Sequence, residues 1–340
     1  MTALLEWKQK IKTFYGKHDT LILPILKFLL AFLTFKQIDS SLGFMSKLGN
    51  VFILLILSIL CSVLPLNTIA IIGVLLIVGH CYALGIEIAA FALILILLLM
   101  ILFLRFSSKE NLALILTPTA FRIGIPAALP IGSGLLGTPM TIIPSACGVI
   151  LYYFMKTLKD QESLLKGEET EIIEKLKLLL DSLIKNQNMW LNMIAFVAAI
   201  IVVYVIRKMA IDYSWRIAAV TGGLVYAAVM IAGGLFMDVD STVVTVILSA
   251  AGGCLIGWIV EFFVLGVDYT SSKNLQFEDD EYVYFVKAVP KSLVTYSERN
   301  IKNIAEEDET EKAEEEVPLE KASYEDVDFE EKLEDSLKDL

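Results

Sequence analysis

Few side chains in this sequence can do chemistry. Only two histidines occur, His18 and His80. No HExxH, GxSxG or paired metal-ligand spacing occurs, so neither an activated nucleophile nor a catalytic metal is legible. The chain therefore reads as a non-enzyme without a metal. Gly132, Gly134 and Gly137 spell GxGxxG, but that pattern cradles a phosphate only between a strand and a helix. Here it lies in a proline-rich apolar stretch. No GxxxxGK[ST] occurs either, and no cofactor is expected.

What remains is a set of polar residues set among apolar ones. Arg122, flanked by Pro118 and Pro126, can clamp an anionic group or reach to lipid headgroups. Ser133, Thr138, Thr141 and Ser145 supply hydroxyls close by and are candidates to line a substrate path. His80, Glu87 and Glu261 are ionisable groups in apolar segments. They form a candidate ion or proton relay, or hydrogen-bonded pairs near an interface. For Glu261 the simplest partner is Arg207, Lys208 or Arg216.

The elements that carry these residues are membrane helices. From Val51 to Leu104 the chain runs 54 residues with one formal charge, Glu87. A run of that kind is long enough to cross a bilayer, turn and cross again. Eight spans are expected, at 20–36, 49–66, 69–84, 86–105, 139–157, 189–207, 215–236 and 241–266. The fold class is thus an all-α integral membrane protein, a polytopic helical bundle of about eight spans.

Residues 110–138 break the pattern. Five of the nine prolines fall between Pro118 and Pro144, with glycines interleaved. Proline removes a helix donor and glycine loosens the backbone. Free backbone groups survive at membrane depth only inside protein or around water. The segment is expected to be a broken, re-entrant helix pair. The lysines and arginines then fall on one side: the N-terminal lysines, Arg105, Lys109 and Arg122, then Arg207, Lys208 and Arg216. Asp238 and Asp240 fall on the other. This places both termini in the cytoplasm, in a bacterial cytoplasmic membrane.

Flanking segments complete the organisation. Residues 1–19 are basic and amphipathic, with no cleavable signal. The domain plan is a first bundle over 20–157 and an extramembrane amphipathic helix over 158–188 carrying Leu165, Ile172, Leu176, Leu179, Leu180 and Leu183. A second bundle follows over 189–266. Residues 267–300 are β-prone, with a strand expected from Tyr282 to Val289. Residues 301–340 hold 17 acids and 5 bases and read as a disordered acidic tail. That tail explains the whole net charge of −11. It can recruit a basic cytoplasmic protein, and its last stretch, with Phe329, Leu333 and Leu337, can form a docking helix. No nucleic-acid partner is expected. The four cysteines, Cys61, Cys81, Cys147 and Cys254, lie in apolar segments as small hydrophobes. Gly253 and Gly257 form GxxxG, either to pack span seven on span eight or to make a homo-oligomer.

Two stretches, LTPTAFRIGIPAALPIGSGLLGTPMTIIPSACGVILYY (116–153) and FFVLGVDYTSSKNLQFEDDEYVYFVKAVPK (262–291), resemble uncharacterised multi-pass membrane proteins of clostridial Firmicutes. Some of these carry the label of ABC-transporter permease. The resemblance implies a multi-pass membrane body and carries no site residues over. Two functions are expected from the residues: a permease or transporter-like component, or a membrane scaffold that works through its tail.

Overall fold

A computed structural model describes residues 2–103, 108–166, 172–237, 242–265, 273–278 and 282–288. Among them are thirteen α-helices: α1 (Thr2–Lys17), α2 (Asp19–Leu42), α3 (Val51–Val63), α4 (Asn67–Tyr82), α5 (Ile86–Phe103), α6 (Ser108–Ile123), α7 (Ala128–Leu136), α8 (Ile142–Asp160), α9 (Glu162–Lys166), α10 (Ile172–Ile184), α11 (Gln187–Lys208), α12 (Ser214–Met237) and α13 (Val243–Val264). A 3-10 turn, Pro139–Thr141, leads into α8. Two antiparallel strands follow, β1 (Lys273–Glu278) and β2 (Val283–Ala288), with Leu275 opposite Val286.

Five helices are long and apolar enough to cross a membrane: α2, α8 with its 3-10 turn, α11, α12 and α13. Their exposed residues explain the solvent they need. Leu224, Leu235, Phe236, Leu248 and Ile259 all stand largely uncovered. A belt of that size is costly in water and neutral in lipid. The chain is a membrane-embedded, predominantly helical protein. α3, α4, α5 and the apolar part of α6 are shorter apolar helices. α3 has 13 residues where the reading expected 49–66. At 1.5 Å per residue it reaches about 20 Å, short of the hydrocarbon thickness.

Helix ends gather into two groups. At one end the Lys8 ammonium sits over Phe262 and Arg216 pairs with Glu261. At the other end His80 faces Asp39, Lys159 reaches the Leu42 carbonyl, and Lys175 meets Glu87. α2 joins the two groups, since Lys27 in its first half bonds the carbonyl of Leu64, which follows α3.

Several expectations are corrected. α1 is a helix in which Lys8 is buried while Trp7 and Phe14 stand exposed, which leaves the amphipathic reading of residues 1–19 standing. Lys8 folds inward because an aromatic ring and a carboxylate wait there. α8 runs on to Asp160, past the expected end at 157. In α10 the covered positions are Lys175, Leu179 and Leu183, four apart, while Ile172 and Leu180 are exposed. The buried stripe thus keeps Leu179 and Leu183 of the expected set and takes in Lys175, which meets Glu87. β1 was not expected, because KNLQFE has no β-branched residue; it forms as the hairpin partner of β2. Residues 301–340, with the expected terminal helix, and Arg105, Asp238 and Asp240 lie outside the described residues.

Candidate functional site

The segment at 110–138 is broken once, and the break has a clear cause. α6 passes through Pro118; the Thr117 hydroxyl back-bonds to the Ala113 carbonyl at 2.6 Å beside it. The helix ends at Gly124, whose φ of +84° suits glycine. There Gly124 N–H bonds Phe121 O at 3.1 Å and Ile125 N–H bonds Ala120 O at 3.0 Å. This is the paired closure of a Schellman end. Pro126 then prevents any continuation. α6 runs alongside α8, with Thr117 against Gly148 and Phe121 stacked on Tyr152. α7 turns back, and its C-terminal end reaches Arg207 at the end of α11.

α7 is held on three sides by α11, α12 and α13. Ile131, Gly134 and Leu135 are buried. Ile131 fills a notch floored by glycines. A methyl group at Gly253 would sit 2.9 Å from the Ala127 carbonyl carbon, and one at Gly257 would sit 2.8 Å from Ala219 Cβ. The close approach expected of Gly253 and Gly257 is therefore used inside the chain, toward α7 and α12. The opposite side of α7 is open: nothing lies within 4 Å of a methyl placed at Gly132, and Ser133 is half-buried.

Both ends of α7 are pinned by side chains. The Arg207 guanidinium donates to the carbonyls of Leu135 and Gly137, the latter at 3.2 Å. A cation on the last carbonyls of a helix satisfies orphan acceptors and complements the dipole. Tyr204 and Trp215 flank the guanidinium at 5.4 and 5.6 Å. At the other end the Ala127 N–H donates to Ser249 Oγ at 3.1 Å.

Ser249 opens a buried polar chain. Its hydroxyl lies beside that of Tyr226; the Tyr226 hydroxyl donates to Asn192 Oδ1 at 3.4 Å, and Asn192 Nδ2 donates to the Tyr153 hydroxyl at 2.9 Å. Asn192 spends its second amide hydrogen on the Asn188 carbonyl at 2.9 Å. Tyr153, Asn192, Tyr226 and Ser249 are all buried, so this is a satisfied network in the middle of apolar helices. It carries no charge. What it can do is fix the tip of α7 against four helices.

The residues singled out in the sequence are spread over several places. Arg122 stands at the tip of α6 and donates to Ser40 and Ser41 of α2, at 2.5 and 3.2 Å; this is the end that holds Asp39 and Leu42, so Arg122 does not join Lys8, Arg207 and Arg216 on one side as expected. Thr138 and Thr141 sit together at the base of α7: Thr138 caps the 3-10 turn, and the Thr141 hydroxyl donates to Thr138 O at 2.7 Å. Ser145 is fully buried and its Oγ has no hydrogen-bond partner among the described residues. His80 Nδ1 accepts from Met45 N–H at 3.2 Å, and its Nε2 is 3.9 Å from Asp39. Glu87 faces Lys175 at 3.5 Å, and Glu261 pairs with Arg216 at the other end of the bundle. His80, Glu87 and Glu261 thus have three separate sets of partners. A further cavity of about 40 Å³ between α2, α4, α6 and α8 is walled by Ile77, Pro118, Met155 and other apolar groups.

Sequence reading missed Asn192, Tyr226, Ser249 and Arg207 as a group. The one available signal was a lone asparagine inside the apolar run of α11. Comparison with protein-family models, curated proteins and solved structures finds no match to this chain.

Proposed function

We propose that this protein is a permease or transporter-like membrane component whose moving or lining part is the α6–α7 hairpin. The observation that carries the reading is α7 itself. It is a half-length helix that starts within the bundle, is pinned at both ends and keeps one side open. Discontinuous helices of this kind commonly line substrate paths. In the same reading the chain crosses eight times, the short helices α3, α4 and α5 included, and residues 110–138 enter and leave by one side. Lys8, Arg207, Arg216 and the end of α13 share one end of the bundle, which supports placing both termini in the cytoplasm of a bacterium. Arg122 and Ser133 lie on the hairpin, and Thr138, Thr141 and Ser145 follow it in sequence.

The test is labelling from water. In a variant with its native cysteines removed, Gly132→Cys and Ser133→Cys should react with a membrane-impermeant thiol reagent. Ile131→Cys, packed in the glycine notch, should not. If all three stay unlabelled from both sides of the membrane, the hairpin lines no aqueous path and the reading fails.

A second reading, a scaffold subunit, rests on the strand pair. Leu275, Phe277, Tyr284 and Phe285 are exposed on β1 and β2, in a part of the chain that follows the last helix. Such a surface, with the acidic residues 301–340, suits capture of a basic cytoplasmic protein. Deleting residues 300–340 should then abolish co-purification of that protein; an unchanged pull-down would count against it.

A further inference from the structure

At the end of the bundle that holds Lys8, the first turn of α12 meets the last turns of α13. Arg216, Trp258, Glu261 and Phe262 line a cavity of about 260 Å³ there, open on one side. Glu261 is buried, and both its carboxylate oxygens accept from Arg216 Nε, at 3.0 and 3.1 Å. Pairing through Nε orients the guanidinium plane and leaves its two terminal nitrogens, with four N–H donors, unused by the carboxylate. The Arg216 side chain is 59% exposed, so that fork faces outward. Lys8 comes to the same corner from α1, with its ammonium 5.0 Å from the Phe262 ring centroid and its field acting on Glu261. In this corner Lys8 and Arg216 thus both act on the Glu261 carboxylate.

The surroundings tell which kind of anion reaches it. Trp258 is partly exposed, and Leu255 and Ile259 beside it on α13 are exposed too. An indole next to uncovered aliphatic side chains at a helix end is the arrangement found at headgroup level. A guanidinium fork matches the paired oxygens of a phosphate, as a lysine point charge does not.

We infer that this corner is a phosphate-binding site for an anionic lipid, with Arg216 as the bidentate donor, Glu261 as its positioning residue and Trp258 at the headgroup. The site is independent of what the α6–α7 hairpin does. A soluble phosphate offers the same oxygens, so the test must separate the two sources.

Full-length protein in neutral detergent is titrated with phosphatidylglycerol, phosphatidylcholine or inorganic phosphate, and bound copies are counted by native mass spectrometry. Phosphatidylglycerol should bind about tenfold more tightly than phosphatidylcholine, and Arg216→Gln should lose about that factor. Arg216→Lys, which keeps the charge and loses the fork, should fall between. The double variant Arg216→Gln/Glu261→Gln leaves no buried carboxylate unpaired. It should melt close to the wild type yet lose the preference for phosphatidylglycerol. Resistance of the bound lipid to millimolar inorganic phosphate supports the lipid as ligand, and ready displacement assigns the same fork to a soluble phosphate instead. Equal binding of the two lipids, or undiminished phosphatidylglycerol binding in the folded double variant, overturns the site.

Discussion

Where α4 meets α2, a glycine faces the end of a side chain; where α13 meets α7, a glycine faces backbone. A methyl group at Gly73 would lie 3.4 Å from Ile38 Cδ1, an ordinary contact. At Gly253 it would lie 2.9 Å from the Ala127 carbonyl carbon and 3.0 Å from the Ala128 nitrogen, neither of which can rotate away. The polar groups divide in the same way. Among α2 to α5, the cross-helix bonds of Lys27, His80 and Glu87 lie at helix ends. Among α7, α8 and α11 to α13, the Ser249–Tyr226–Asn192–Tyr153 chain runs through the interior. The first region is held by interdigitating aliphatic side chains, which can shift. The second is held by backbone contact and directional bonds, which allow one docking of α7.

The sharpest way to break this comparison is to add a methyl group on each side. Gly253→Ala is expected to cost about 2 kcal/mol by overpacking against fixed backbone. Gly73→Ala should stay within about 1 kcal/mol of the wild type, on the stabilising side, because alanine favours helix. Equal melting temperatures for the two variants in detergent would remove the distinction. Next comes the interior chain. Asn192→Leu strands two tyrosine hydroxyls and should cost about 1 kcal/mol, the scale of hydrogen bonds between membrane helices. Its counterpart in the first region, Ser58→Ala, loses only a 2.6 Å back-bond to the Leu54 carbonyl and should be near neutral. A larger loss for Ser58→Ala would reverse the ranking.

Ser145 gives a prediction of opposite sign. Its hydroxyl is buried without a partner among the described residues, so Ser145→Ala should raise stability, by about 1 kcal/mol. Lower thermal stability in that variant would show that the hydroxyl has a use in the folded protein. The smallest effect concerns the surface. Glu162 accepts from Lys166 at 2.6 Å and Lys159 at 3.0 Å, and these bonds hold its carboxyl below the ordinary value. A carboxyl lowered in the folded state adds stability above its unfolded value, about 4.3, and loses it as the pH falls through the lower folded value. The small gap between wild type and Glu162→Gln should therefore close on acidification. A gap that widens toward acid would contradict this assignment.

Much of the helical plan was legible because lipid imposes long apolar runs, and the Glu261–Arg216 pair was legible because few charges are available to pair. The break at Gly124–Pro126 announced itself through residue types that cannot continue a helix. The α7 socket was not legible. Tyr153, Asn192, Tyr226 and Ser249 come from four helices, and nothing in their spacing marks them as neighbours. Arg207 read as a loop-side basic residue, and only the fold brings the α7 carbonyls to it. The burial of Lys8 was not legible, because helical periodicity says which side a residue is on and not whether an aromatic ring awaits it. The short reach of α3 reflects the Asn50 cap at its start, whose side chain accepts from Phe52 N–H, and Pro65 at its end, before which Leu64 is extended.

The order of synthesis gives the α7 socket one more consequence. Every wall of that socket, from Ile200 and Val203 to Gly257, is translated after α7 itself. Roughly 120 residues separate Leu136 from Gly257, so at about 5–20 residues per second the half-helix waits for many seconds before its last wall leaves the ribosome. A nascent chain halted before α13 would present Ile131 and Leu135 with their α13 side uncovered. Quality-control proteases would meet the protein in that interval, and a slowed ribosome near the end of the message would lengthen their opportunity.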